Sequence, residues 1–127
     1  TDLKIKIVVS QAYGLIDRTW LFDNTFRPYF IAGPKEFLNL CKYSTGIIGS
    51  SFHLVAFAII LQKPFWAING LNDSRVANLL HLVNLESRSL TTKESPSISS
   101  DIDFKLVQEK LELKRQKSIQ WLQNSLI

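Results

Sequence analysis

The sequence predicts an α/β fold built on a doubly wound, mainly parallel sheet, and three observations support this. Short runs of β-branched and apolar residues alternate with segments whose apolar residues recur at helical spacing. The strand-like runs are largely apolar rather than alternating, which is typical of parallel strands buried on both faces. A long amphipathic segment closes the chain. Strands that alternate with helices in this way favour a doubly wound sheet with right-handed crossovers.

The first third of the chain is predicted to hold one strand, one long loop and one helix. Residues 4–10 are β-branched and apolar, and they predict a buried strand. Residues 11–33 carry aromatic and charged side chains without a clean period, so we expect a long loop, a kind of segment that often has a function. Pro at a first helical position and apolar residues at helical spacing predict a helix over Pro34–Tyr43, ending near Ser44.

The middle of the chain has the pattern of a strand, a tight turn, a buried helix and a second strand. A short strand is predicted over Gly46–Gly49 and another over Phe65–Ile68. Between them, Ser51–Gln62 predicts a helix that is apolar on nearly every side, as expected of a helix packed between a sheet and further structure. Lys63-Pro64 is expected to stop this helix.

The last third predicts two helices joined by a surface connection. Asn72 or Asp73 is expected to cap a helix with apolar residues at 76, 79, 80 and 83 on one side. Residues 91–102 begin with a stretch rich in Ser, Thr and Pro, which predicts a connection on the surface. From Asp103, a good N-cap, to Leu126, apolar residues at 104, 107, 111, 119, 122 and 126 predict a long amphipathic helix that docks against other structure.

Composition limits the class of protein. With 127 residues and 46% hydrophobic content the chain supports one core, so we expect a single α/β domain over residues 1–127. The net charge of +4 is dispersed except at residues 114–117, which argues against a nucleic-acid partner. A lone cysteine, Cys41, excludes a disulfide framework within the chain and favours a reducing compartment. The longest apolar run, Leu54–Leu61, is far shorter than the roughly 20 residues of a membrane-spanning helix.

Two serines and a histidine stand where the predicted strand 46–49 turns into the predicted helix. Such a turn places Ser50, Ser51 and His53 at the carboxyl edge of a parallel sheet, beside the unpaired N–H groups of a helix N-terminus. Sheets of this kind bind anions at that edge, and imidazole suits proton transfer near neutral pH. We therefore expect a small acidic or phosphorylated ligand there. The structural alternative is that the serines only cap the helix and that His53 only packs against it.

Several short motifs follow one another in the order found in the C-terminal half of the polysaccharide pyruvyl transferase family, which this chain resembles over most of its length. In chain order the motifs are Pro34-Lys-Glu-Phe37-Leu38, Ser50-Ser51-Phe52-His53, Phe57-Ala58, Lys63-Pro64-Phe65, Asn72-Asp-Ser74-Arg75-Val with Leu79-Leu80, Leu85-Glu86-Ser-Arg88, and Ile102-Asp103-Phe with Val107, Leu111, Arg115, Ser118 and Leu122. Each motif alone is weak, and the match rests on their number and order.

The resemblance implies an enzyme that transfers a pyruvyl group from phosphoenolpyruvate onto two sugar hydroxyls of an exported bacterial polysaccharide, forming a cyclic ketal. It implies a fold similar to one half of a two-domain GT-B glycosyltransferase. This chain would then be the C-terminal, donor-side domain of a longer protein, inactive without its N-terminal domain. The absence of methionine and the abrupt start on a strand fit such a piece. We expect no metal, no cofactor besides the donor substrate, and a cytoplasmic location at the inner face of the membrane.

The same resemblance suggests a role for particular side chains. His53 is the candidate catalytic residue. Four residues are candidates for holding the carboxylate and phosphate of the donor: Ser50, Ser51, Arg75 and Arg88. The sequence departs from the family pattern at two of its positions, because many relatives have Arg where Ser51 stands and Gly where Leu54 stands. The first departure shifts the expected donor contacts towards the two arginines or a residue outside this chain.

Two other functions stay open at this point. The first is the nucleotide-sugar-binding half of a GT-B glycosyltransferase, which would need an acidic residue on the ribose, and none is evident after His53. The second is a non-catalytic α/β interaction domain whose final helix packs on a partner, in which case no small anion binds at the turn. His81 is expected to be a structural or surface residue, and the three tryptophans are expected to pack in the core or between domains.

Overall fold

A computed structural model describes residues 33–91, 93–94 and 101–126 of the chain. Within these residues, helices alternate with short strands, and two single 3-10 turns join them. In chain order the elements are α1 (Pro34–Tyr43), β1 (Ile47–Gly49), α2 (Phe52–Ile60), β2 (Phe65–Ile68), a 3-10 turn (Gly70–Asn72), α3 (Ser74–Leu82), a second 3-10 turn (Glu86–Arg88), β3 (Ser89–Leu90) and α4 (Phe104–Ser125).

The strands form one parallel sheet in the order β1-β2-β3. Ile47 lies opposite Phe65 in the first pair, and Ala67 lies opposite Ser89 in the second. The predicted α/β class with a parallel sheet is confirmed for the described part of the chain. The predicted strand at residues 4–10 and the predicted loop at 11–33 lie almost wholly outside the described residues.

The core lies where α2 and α3 pack against each other and α2 packs against the first two strands. Along β2, Phe65 and Ala67 are buried while Trp66 and Ile68 are half-buried, so the strand buries one face more deeply than the other. α1 contributes Cys41 and α4 contributes Val107 to the same cluster. Burial raises the pKa of the Cys41 thiol, so this cysteine is a neutral core residue rather than a nucleophile.

Two helices end earlier than their sequence pattern predicts. α2 ends at Ile60 instead of Gln62, because Gln62 adopts a left-handed backbone with φ of 55°. The N–H of Lys63 then donates to the carbonyl of Ala58 at 2.8 Å, which closes a Schellman motif before the proline is reached. Asn84, with φ of 56°, ends α3 in the same way.

α1, β2 and α4 match their predicted positions closely. α1 and β2 have the predicted bounds, and α4 begins directly after Asp103, whose carboxylate accepts a hydrogen bond from the N–H of Leu106 at 3.2 Å. β3 was not predicted, because two residues are too few to show a pattern. Of the predicted connection 91–102, the described residues Thr91, Lys93, Glu94 and Asp101 are exposed. No described helix is long and apolar enough to cross a membrane.

Candidate functional site

The carboxyl ends of all three strands meet at one edge of the sheet. β1 ends at Gly49 beside Ala67, and β2 ends one residue further on, at Ile68 beside Leu90. The chain therefore leaves the sheet at Ser50, Asn69 and Thr91 on the same edge. The predicted turn lies there, which is the place where parallel sheets of this class bind ligands.

Ser50, Ser51 and His53 lie together at the start of α2. Ser51 occupies the N-cap position, which corrects the expectation that Ser50 caps the helix and makes His53 its second residue rather than its third. The Ser51 hydroxyl makes no capping hydrogen bond, and the first N–H groups of a helix have no partner within it. Ser50 and His53 are exposed, and the His53 ring meets the edge of the Phe52 ring at a centroid distance of 5.7 Å.

Leu54 closes the space behind the turn. The nearest neighbour of a Cβ added at Gly49 would be the Leu54 Cδ2 atom, only 2.2 Å away. Leu54 is buried and can move little, which explains why glycine ends β1. The departure from family glycine at Leu54 therefore fills the region beneath the turn with a packed side chain.

We expect Gly49→Ala to destabilise the protein by about 1–3 kcal/mol, because the new methyl group overpacks a filled site. Gly46→Ala is the matched control: its Cβ would lie at an ordinary 3.5 Å from the Pro64 carbonyl oxygen, and neither glycine has a positive φ. Urea unfolding measures both changes. In a Leu54→Ala background the cost of Gly49→Ala should fall close to zero, and an undiminished cost would exclude the Leu54 contact as its cause.

Arg75 lies in the first turn of α3, which follows β2 and packs beside α2. Its guanidinium pairs with Asp73 at 3.2 Å and is 70% exposed. Asp73 is also the N-cap of α3, since its carboxylate accepts from the N–H groups of Arg75 at 2.9 Å and Val76 at 3.4 Å. Arg75 thus has a carboxylate partner beside it, and its guanidinium remains open to solvent at the same edge of the sheet as Ser51.

The Asp73 carboxylate should make stability depend on pH. Hydrogen bonds from the Arg75 side chain and the Arg75 N–H lower the pKa of Asp73 below its ordinary value of 3.8. The stabilisation is therefore fully present above that value and is lost as the pH falls through the lowered pKa. We expect Asp73→Asn, which retains a capping side chain, to melt below the wild type at pH 7. The difference should vanish in strong acid, and one that persists there would show that the charge is not its source.

Arg88 is placed very differently from Arg75. It is 4% exposed, and its guanidinium stacks on the Trp66 ring at 4.5 Å from the centroid. Burial lowers the pKa of this guanidinium, while the charge of Asp101 raises it. An arginine remains charged under such a shift. The predicted role of Arg88 in substrate binding stays a prediction, and the geometry gives it a packing role between β2 and β3.

The remaining residues singled out from the sequence lie away from the turn. His81 is in the last turn of α3, at the opposite end from Arg75, with its Nδ1 atom 2.7 Å from Glu86 Oε1. It is an exposed surface residue, as predicted. Trp66 is half-buried against Arg88, and Trp121 is 67% exposed on α4, so the latter is not a core residue of the described part. Trp20 lies outside the described residues.

One residue at the edge was missed by the sequence reasoning. Asn69 was treated as loop punctuation, yet it leaves β2 in a left-handed conformation with φ of 51°, and its N–H donates to the Leu90 carbonyl at 2.6 Å. An Asn-Gly pair directly after a buried strand was the available signal. Across the described ranges, no group of three or more His, Cys, Asp or Glu side chains is arranged to hold a metal ion.

Comparison with known proteins places this edge in a family. A family model described as polysaccharide pyruvyl transferase matches residues 8–72. No curated protein and no solved structure matches the chain. The matched region is just over half of the 127 residues, and it contains β1, the Ser50–His53 turn, α2 and β2. The chain therefore belongs to the polysaccharide pyruvyl transferase family.

Proposed function

We propose that this chain is the donor-binding part of an enzyme that transfers a pyruvyl group from phosphoenolpyruvate to two hydroxyls of a polysaccharide, forming a cyclic ketal. The observation that carries the proposal is the position of the turn. The family match spans Ser50, Ser51 and His53, and these residues lie at the carboxyl edge of a parallel sheet with their side chains wholly or partly open to solvent.

The donor carries a carboxylate and a phosphate, and the turn offers groups that suit both. The N–H groups of the first turn of α2 point away from the helix body, and the helix dipole favours negative charge there. The Ser51 hydroxyl is not used for capping and can donate to an anion. Ser50, which is exposed beside it, adds a second hydroxyl. Arg75 reaches the donor by exchanging its contact with Asp73 for one with the ligand.

His53 supplies the proton chemistry in this proposal. Ketal formation adds one proton to the methylene carbon of phosphoenolpyruvate, joins two hydroxyl oxygens to its central carbon and releases phosphate. The two hydroxyls lose one proton each, of which one balances the new methyl group and the other leaves with phosphate. An exposed imidazole in the first turn of α2 can give and take these protons near neutral pH.

The rest of the enzyme is proposed on the same basis. A GT-B-like arrangement would place a second, N-terminal domain across a cleft from this edge, with the sugar acceptor between the two. Arg88 would then support the donor side through Trp66 and β3 rather than from the surface. We place the enzyme in the cytoplasm at the inner face of the membrane, where phosphoenolpyruvate is available, with no further cofactor.

An amide NMR titration of the chain with phosphoenolpyruvate tests the proposal. Saturable shifts are expected at Gly49–Leu54 and at Asn69–Arg75, with about fivefold weaker binding in Ser51→Ala because one hydrogen bond to an anion is lost. His81→Ala is the control and should bind like the wild type. Shifts with UDP-glucose alone would favour a nucleotide-sugar-binding domain, and no saturable shift with either compound would favour an interaction domain.

A further inference from the structure

The distal part of α4 extends beyond the core. The proximal part is anchored by buried Val107, by Leu111 against the core cluster, and by Gln108, whose Nε2 donates to the Ile59 carbonyl at 3.3 Å. Residues 112–126 are all exposed. They form a segment about 20 Å long that carries large apolar side chains into solvent.

Two stripes run along this segment. Ile119, Leu122 and Leu126 follow one another at spacings of three and four residues, and Leu126 is 84% exposed. Lys114, Lys117 and Trp121 form a second stripe at the same spacings. Adjacent residues of a helix differ by about 100°, so the basic stripe lies alongside the apolar one, with the Trp121 ring at their border.

Charge decides which partner fits. Residues 113–126 contain three basic residues and no acidic one, and of the three only Arg115 has an ion-pair partner, Glu112, among the described contacts. A second copy of this helix would bring like charges together. An anionic bilayer surface accepts both stripes at once, since apolar side chains and a border tryptophan enter the headgroup region while lysines meet lipid phosphates.

We infer that residues 113–126 of α4 bind the surface of an anionic membrane, lying on it rather than crossing it. This goes beyond the donor chemistry proposed above and gives a physical basis for the proposed location at a membrane. It is independent of phosphoenolpyruvate, because α4 and the β1–α2 turn share no residue.

Co-sedimentation of the full chain with vesicles tests the inference. We expect binding to phosphatidylcholine vesicles that contain phosphatidylglycerol, weak binding to pure phosphatidylcholine, and loss of binding at high salt. Lys114→Gln/Lys117→Gln should weaken binding about 30-fold. Ile119→Gln/Leu122→Gln should weaken it at least tenfold through lost apolar burial. Leu113→Gln, the matched control on the opposite side of the helix, should bind within about twofold of the wild type.

Circular dichroism should show unchanged helix content in every variant, and phosphoenolpyruvate binding should be unaffected by all of them. Equal binding to both kinds of vesicle, no binding at low salt, or an equal loss in Leu113→Gln would overturn the inference. A concentration-dependent dimer that is abolished by Ile119→Gln/Leu122→Gln, without vesicle binding, would overturn it in favour of self-association. None of these outcomes changes the expectation for phosphoenolpyruvate.

Discussion

Replacement of His53 by glutamine is expected to slow pyruvyl transfer by about 10²–10⁴-fold, the usual contribution of a general acid or base. His53 is exposed in the first turn of α2 at the carboxyl edge of the sheet, so its ring is available to a ligand held at that turn. Glutamine retains a polar side chain of similar length but cannot exchange a proton near neutral pH. The turnover number should therefore fall while the affinity for phosphoenolpyruvate changes only a few-fold.

The measurement is phosphate released from phosphoenolpyruvate in the presence of the polysaccharide acceptor by the enzyme that contains this chain. His81→Gln is the matched control, because it makes the same chemical change in an exposed histidine at the far end of α3. It should turn over within about twofold of the wild type. Equal rates for His53→Gln and the wild type would remove His53 from the chemistry and leave the turn as a binding element.

The second large effect is on folding. Phe65→Ala is expected to lower the free energy of unfolding by about 3–5 kcal/mol, because it opens a cavity beneath the central strand. Phe65 is 1% exposed and belongs to the cluster that α2, α3 and α4 share. Domains of this size are stable by only about 5–15 kcal/mol, so the variant should approach or pass the point of unfolding at room temperature.

Urea unfolding followed by circular dichroism gives this value. Tyr43→Ala is the control, since Tyr43 is 77% exposed at the end of α1 and its removal should change stability by no more than about 0.5 kcal/mol. A cost below about 1 kcal/mol for Phe65→Ala would mean that β2 is not the centre of the core. A partly unfolded Phe65→Ala variant would also lose phosphoenolpyruvate binding, whereas His53→Gln should keep it.

The sequence was sufficient for elements whose ends are decided by neighbouring residues. Pro34 and Asp103 mark helix starts through their own backbone or side-chain chemistry, and both helices were predicted close to their observed bounds. The helix end at Gln62 was predicted two residues late, because a left-handed backbone at a non-glycine residue leaves no strong mark in the sequence. The two-residue strand β3 was missed because its pairing with β2 comes from residues far along the chain.

The same division holds for the candidate site. Its place at the turn after β1, and the presence there of Ser50, Ser51 and His53, followed from the sequence alone, because a strand, a tight turn and a helix are local patterns. Family membership also followed from motifs in order, and the family match confirms it. Only the tertiary structure decided that Arg88 stacks on Trp66 while Arg75 stays exposed, because burial depends on which strands become neighbours. It also decided that Leu54 packs against Gly49, since that contact depends on how α2 lies over the strand.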